Sequence, residues 1–261
     1  MYWRAFVNVS LGFLLVISWA ACGGKRVQRS EDAVLQYRVA QKLYFRGEET
    51  QALAESLEAE KLDPKNEEIQ NFLGLLYAKK NLLDKAEMHF KKAIRIKSNY
   101  SEAHNNLCGF LYQQSRYDEA LSHCNEAVKG VTYATPERSY HNMALIYEKT
   151  NKSEKALESY EKAVSINPNF VLSLRPLGKH FYQKKNYTRA KELLSSADQA
   201  CVAAASGSWG QDCPEAQYLL ALTYIQLRQR PSAIAALQNC IASDQKGSYQ
   251  QKCRKSLELY R

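Results

Sequence analysis

Small and large apolar residues return along the chain at fixed intervals. Alanine stands at Ala52, Ala86, Ala120, Ala156, Ala190 and Ala233, at spacings of 34, 34, 36, 34 and 43 residues. Seven residues further on come Ala59, Ala93, Ala127, Ala163 and Ala197, with Cys240 in the sixth place. Twelve residues before each first alanine is another small side chain: Ala40, Gly74, Cys108, Ala144, Gly178 and Ala221. Three residues after that comes a large one: Leu43, Tyr77, Leu111, Tyr147, Phe181 and Tyr224. Spacings of three, four and seven mark one face of a helix. The pattern predicts pairs of antiparallel helices. The small residues sit where the two helices cross, and the large ones fill the gaps between neighbouring pairs.

A period near 34 residues with this signature resembles the tetratricopeptide repeat. The resemblance implies an all-α, right-handed superhelical solenoid. Six units are expected at about 33–66, 67–100, 101–134, 137–170, 171–204 and 214–247, followed by a C-terminal capping helix over 249–261. Asp63-Pro64 and Asn167-Pro168 close the first and fourth units, because proline cannot continue a helix. Two interruptions break the register. Thr135-Pro136 lengthens the junction between the third and fourth units, and Cys201–Cys213 brackets an irregular insert before the sixth.

The first residues obey a different pattern. One positive charge lies in Met1–Arg4, and Ala5–Ala21 is uncharged, with its densest apolar stretch at Leu11–Ile17. Ala20, Ala21 and Cys22 follow. This is the anatomy of a signal peptide, and the apolar stretch is short for a membrane span. Small-small-Cys at that point resembles a bacterial lipobox, although Trp19 stands where an aliphatic residue is usual. The resemblance implies fatty acylation (palmitate-type chains) at Cys22, and Gly23 after the cysteine implies the outer membrane rather than the inner. The expected organisation is a lipoprotein signal peptide over 1–21, a lipid-anchored tether over 22–32 and a repeat domain over 33–261.

Charge adds little to this. The chain carries 36 basic and 27 acidic side chains, a formal +9, with both signs mixed along every helix. That reads as a solvated helical surface and not as a nucleic-acid patch. The cysteines add more. Six remain beyond Cys22, and export favours disulfides. Fifteen connectivities are formally possible. Local topology favours Cys108–Cys124 across one helical hairpin, Cys201–Cys213 closing the insert, and Cys240–Cys253 tying the sixth unit to the last helix. His104 and His123 lie near the first pair, so a metal site is an alternative there, but the disulfide is the stronger reading.

No catalytic constellation appears. The sequence has no glycine-rich phosphate loop, HExxH or GxSxG, and the repeats leave no room for a catalytic domain. The chain therefore reads as a binding protein, not an enzyme, with no cofactor or metal. Repeat geometry places Val34, Tyr37, Gln41, Tyr44 and Phe45 on the groove face of the first unit. Asn71, Leu75 and Ala78 follow from the second, and Asn105, Gly109, Tyr112 and Gln113 from the third. Aromatics interleaved with amides suit an amphipathic or extended peptide.

Two blocks are more specific than a generic repeat. One is Asn105–Tyr112 with Arg116-Tyr117 and Glu119-Ala120; the other is Thr132-Tyr133 with Pro136–Ser139. Together with the lipobox and six units they resemble the type IV pilus pilotins of the PilF, PilW and Tgl type. These are outer-membrane lipoproteins that help the secretin, the pilus pore, to assemble. The resemblance implies a lipid-anchored location on the periplasmic face of the outer membrane. It also implies two partners: the secretin, bound through the groove, and membrane lipid, met through the acyl chains. A scaffold for another envelope complex, such as peptidoglycan hydrolases, is the alternative. The insert at 201–213 is foreign to the resemblance.

Overall fold

The computed structural model describes residues 28–203, 213–244 and 247–260. The expected signal peptide, Cys22 and the interior of the insert therefore lie outside the described residues. Those described form thirteen helices and no strand. α1 covers 28–45. It is followed by α2 (Glu49–Leu62), α3 (Glu67–Lys79), α4 (Leu83–Ile96), α5 (Ser101–Gln113) and α6 (Tyr117–Ala127). Next come α7 (Pro136–Lys149), α8 (Ser153–Ile166), α9 (Val171–Gln183) and α10 (Tyr187–Ala203). α11 (Cys213–Gln226), α12 (Arg230–Ser243) and α13 (Ser248–Tyr260) complete the chain. α1 takes in residues 28–32, which the repeat register leaves in the tether. The cause is long-range pairing that the repeat pattern does not encode. Arg29 donates to the Lys61 carbonyl at 3.0 Å, and Ser30 to the Asp63 carboxylate at 3.5 Å.

The recurring small residue is a steric requirement. A Cβ added at Gly74 would lie 2.6 Å from the Phe90 ring, and one at Gly178 would lie 2.5 Å from Leu194. Each partner is sixteen residues further on, in the second helix of its pair. The two backbones approach closely enough that the large side chain fills the space a Cβ would need.

The turn inside each pair is equally regular. Gly47, Asn81, Ser115, Asn151, Lys185 and Arg228 all have φ between 57° and 83°. Their spacings repeat those of the alanines. In each turn the next amide donates back to the large-residue carbonyl, as Leu82 does to Tyr77 at 2.9 Å and Asn186 to Phe181 at 2.9 Å. The left-handed residue's own amide donates to the carbonyl three before it, as Asn81 does to Ala78 at 3.0 Å. This is the Schellman end of a helix.

The chain divides into two compact units, Met1–Phe110 and Leu111–Arg261. In unit 1, Ala40, Ala52, Phe72 and Leu76 form a buried cluster, with Tyr37, Leu43 and Tyr44 packed on it. Unit 1 also holds a polar chain, buried at His89 and Gln70 and partly open at Glu60 and Lys92. His89 Nδ1 is 2.8 Å from Gln70 Oε1, and Gln70 donates to Glu60 at 3.0 Å. Lys92 completes it, 2.7 Å from Glu60. In unit 2, one core runs from Ala144 and Tyr160 through Leu174, Leu177 and Leu194 to Leu237 and Leu257. Two disulfides join Cys201 to Cys213 and Cys240 to Cys253. Cys108 and Cys124 are each disulfide-bonded as well, and both are fully buried.

Candidate partner-binding site

The groove-face residues expected from the sequence divide between the two units. In unit 1, α1 and α3 build an aromatic patch. Tyr37 and Tyr44 each meet Phe72 edge to face, with centroids 5.5 Å apart in both cases. The Tyr44 ring also lies 6.2 Å from Phe45. Gln41 donates to the Tyr37 hydroxyl at 2.8 Å, and Lys79 caps the Tyr44 face at 5.1 Å. Leu75 is half-buried and packs on the same cluster. Phe45 is 85% exposed, so the outer end of the patch is an uncovered ring. Burial, and then the charge of Glu68, push the Tyr37 phenol up, so it stays protonated.

Asn71 and Asn105, expected on the groove face, are mostly covered. They are only 7% and 8% exposed. The Asn71 amide oxygen accepts from Asn106 at 3.0 Å, and its side chain also hydrogen-bonds Tyr100. Asn71 is therefore an internal strut between neighbouring helices, with little left for a partner's backbone. Periodicity places both amides on the correct helices but does not reveal that Asn106, two helices further on, reaches Asn71. Gly109 is half-buried at its place in α5.

In unit 2, Gln113 is exposed at the end of α5 and Tyr112 is half-buried. The Tyr112 ring lies 6.0 Å from Tyr117. Burial, followed by neighbouring Tyr117 and Glu148, pushes its phenol up. Glu148 leads to a feature that sequence reading missed, a cleft of about 510 Å³ built by α7, α8, α9 and the start of α11. Its lining includes Leu145, Leu157, Leu172 and Pro176. Glu148, Arg175, Lys179 and Glu215 bring charge to it.

The cleft's charges are organised. Arg175 and Lys179 stand one turn apart on α9, and both reach Glu215, Lys179 at 3.5 Å. Burial opposes ionisation of Glu215, but the two cations outweigh it and hold its carboxyl below the ordinary value. The Tyr249 hydroxyl also bonds Glu215. His141 stands 3.1 Å from Ser173 Oγ and between the Tyr160 and Phe170 rings, at 5.6 and 5.7 Å. Burial, with Arg175 adding to it, lowers its pKa from 6.5 to about 4. The signal that could have found this cleft is Pro176, which lies inside a helix.

Among the described residues no group of three or more metal-ligating side chains gathers. His104 Nε2 is 3.1 Å from the Ser98 carbonyl, in a local contact. No helix among the described residues is long and apolar enough to cross a membrane.

Known proteins resemble this chain in sequence and in fold. Tetratricopeptide-repeat models match residues 67–100, 99–169 and 215–246, together just over half the chain. The type IV pilus assembly protein PilF of Pseudomonas aeruginosa is 25% identical over 196 residues, covering 71% of this chain and 77% of PilF. The solved structure of Pseudomonas aeruginosa PilF superposes with a TM-score of 0.72 at 20% identity, over 88% of this chain and 99% of that one. The crystal structure of PilW, described as a widely conserved type IV pilus biogenesis factor, gives 0.65 at 20% identity, over 84% and 97%. At such identities the two structures establish the fold.

Proposed function

This chain belongs to the tetratricopeptide-repeat family, an all-α solenoid class, and we propose that it serves in type IV pilus assembly as a pilotin. Its partner in this reading is the pilus secretin. A short apolar or amphipathic segment of that protein docks on the aromatic patch of unit 1. The supporting observation is the likeness to PilF, which runs along most of both chains. Phe45 is the first contact, since an exposed phenyl ring on a braced tyrosine pair is a ready anchor. The protein acts by binding and positioning, without catalysis. Acylation of Cys22 holds it on the periplasmic face of the outer membrane, where the secretin ring inserts.

Deletion of the gene tests the function, with heat-stable secretin multimers as the readout. The expected result is loss of multimers and of pili. Normal multimers would reject the pilotin reading in favour of a scaffold for another envelope complex. Phe45→Ala tests the patch. Truncating such an anchor costs about 2 kcal/mol, or roughly thirtyfold in affinity. Phe45 is mostly exposed, so the fold should survive; unchanged secretin binding would move the partner elsewhere. For the anchor, intact mass of the mature protein should show an acylated Cys22. An unmodified chain starting at Ala21 would count against it.

A further inference from the structure

Three turns of unit 2 carry positive charge that their surroundings do not balance. The stretches 149–152, 184–186 and 227–230 hold Lys149, Lys152, Lys184, Lys185, Arg228 and Arg230 and no carboxylate. All six side chains are exposed. Arg230 is held by the Tyr260 carbonyl at 3.0 Å. The four lysines and Arg228 form no ion pair among the described residues. Glu148, beside Lys149 in sequence, bonds the Tyr160 hydroxyl, and Glu154 is the one acid in the first turn of α8.

The excess belongs to these turns and not to turns in general. In unit 1, Lys79 lies 2.8 Å from Glu49 and Arg46 lies 4.0 Å from Glu48, while Lys80 donates to Thr50 at 3.2 Å. At the turn after α5, Arg116 is paired with Glu119 at 2.7 Å. The opposite ends of the unit 2 pairs differ too. There Lys129 is 2.6 Å from Glu126, and residues 166–170 carry no charge.

The three basic turns are neighbours. Tyr182, near the end of α9, hydrogen-bonds Gln226 at the end of α11, which brings the second and third together. Glu148, Ser153 and Gln183 line one cleft, which joins the first to the second. Five cations therefore share one edge of unit 2. They are spread along it, so a single small anion meets only one or two of them. The exposed residues between them are Asn151, Asn186 and Gln229, which offer no apolar anchor of the kind a protein partner buries. The matching shape is a broad surface of negative charge.

We propose that this basic edge rests on the headgroups of an anionic phospholipid surface. Lys149, Lys152, Lys184, Lys185 and Arg228 make the contact, and the attraction is electrostatic. A polybasic patch adds to lipid anchoring, which by a single chain is weak. The proposal stands on the charge of unit 2 and does not depend on acylation of Cys22 or on the secretin.

The test is acetylation footprinting of the lysines of the full chain, read residue by residue by mass spectrometry, on two kinds of vesicle. One is phosphatidylcholine alone, and the other is phosphatidylcholine and phosphatidylglycerol in equal parts. The readout is local, so any attachment through the N-terminus affects both vesicles alike. Lys149, Lys152, Lys184 and Lys185 should be protected only where phosphatidylglycerol is present, and high salt should remove the protection. Lys129 should react equally on both. The double variant Lys184→Gln/Lys185→Gln, at exposed positions, should keep its circular dichroism. Its preference for phosphatidylglycerol vesicles should fall by about fivefold per lysine. Equal reactivity of the four lysines on both vesicles would overturn the proposal. Protection by inorganic phosphate alone would do so by making the edge a discrete anion site. Stronger protection by soluble polyglutamate than by the vesicles would assign the edge to an acidic protein instead.

Discussion

Unit 1 and unit 2 repeat the same helical pair yet expose opposite chemistry. The face of α1 and α3 is aromatic and ends in the open Phe45 ring, while α7 and α9 line a cleft with charged side chains and leucines. The equivalents of Tyr37 and Gln41 in the repeat register are His141 and Leu145 in the fourth unit, and Arg175 and Lys179 in the fifth. The small and large columns barely change between them. Packing constrains those columns because a Cβ in the wrong place collides, as at Gly74 and Gly178. The neighbouring positions of the first helix vary far more, from Tyr37 and Gln41 to Arg175 and Lys179.

The contrast can be broken first at Phe72, the ring on which Tyr37 and Tyr44 both rest. Phe72→Ala should cost about 4 kcal/mol, the range for a buried phenyl. Hydrogen exchange should show it as lost protection in α1 and α3. A loss below about 1 kcal/mol would mean that the patch has another support.

Acid sharpens the difference from the other side. His141 has a pKa near 4 in the folded protein against 6.5 in an unfolded chain. The unfolded state binds the proton more readily, so the stabilisation from a neutral His141 is complete above pH 6.5. It disappears as the pH falls toward 4, by about 3 kcal/mol. His141→Gln should flatten the fall in urea midpoint between pH 7 and pH 4. If the variant keeps the wild-type pH profile, His141 is not the titrating group. His89 in unit 1 shifts in the same direction, chiefly by burial, though nearby Glu60 opposes it. Some acid sensitivity should therefore persist in unit 1.

The smallest expected effect lies in the turns. Unit 1 places Gly47 and Asn81 at the left-handed positions, residues that tolerate them. Unit 2 places Ser115, Lys185 and Arg228 there, as well as Asn151. Lys185→Gly and Arg228→Gly should each raise stability by about 0.5–1 kcal/mol, read from urea midpoints, because each relieves a strained φ. Asn81→Gly should change little. A gain at Asn81 equal to that at Lys185 would erase this difference between the units.

Much of the fold was legible in the sequence because it rests on local, repeated constraints. Ala52 and its counterparts mark helix crossings six times over, and no single accident of packing reproduces a 34-residue period. The turn column at Gly47, Asn81 and Ser115 was there too, but Lys185 and Arg228 do not announce a left-handed backbone. Only the hydrogen bonds that close each helix end reveal it.

The sites were legible in part. Tyr37, Tyr44 and Phe45 could be placed on one face from helical periodicity alone, since that depends only on residues near in sequence. Whether a side chain on that face is available depends on its neighbours in space. Asn71 is occupied by Asn106, thirty-five residues away, and Glu215 comes forty residues after Arg175 to complete the cleft. The sequence alone determined the repeat, its register and the helix faces, because steric periodicity is written residue by residue. Tertiary structure alone decided which polar groups satisfy one another and which stay open. Those pairings span helices that no local pattern connects.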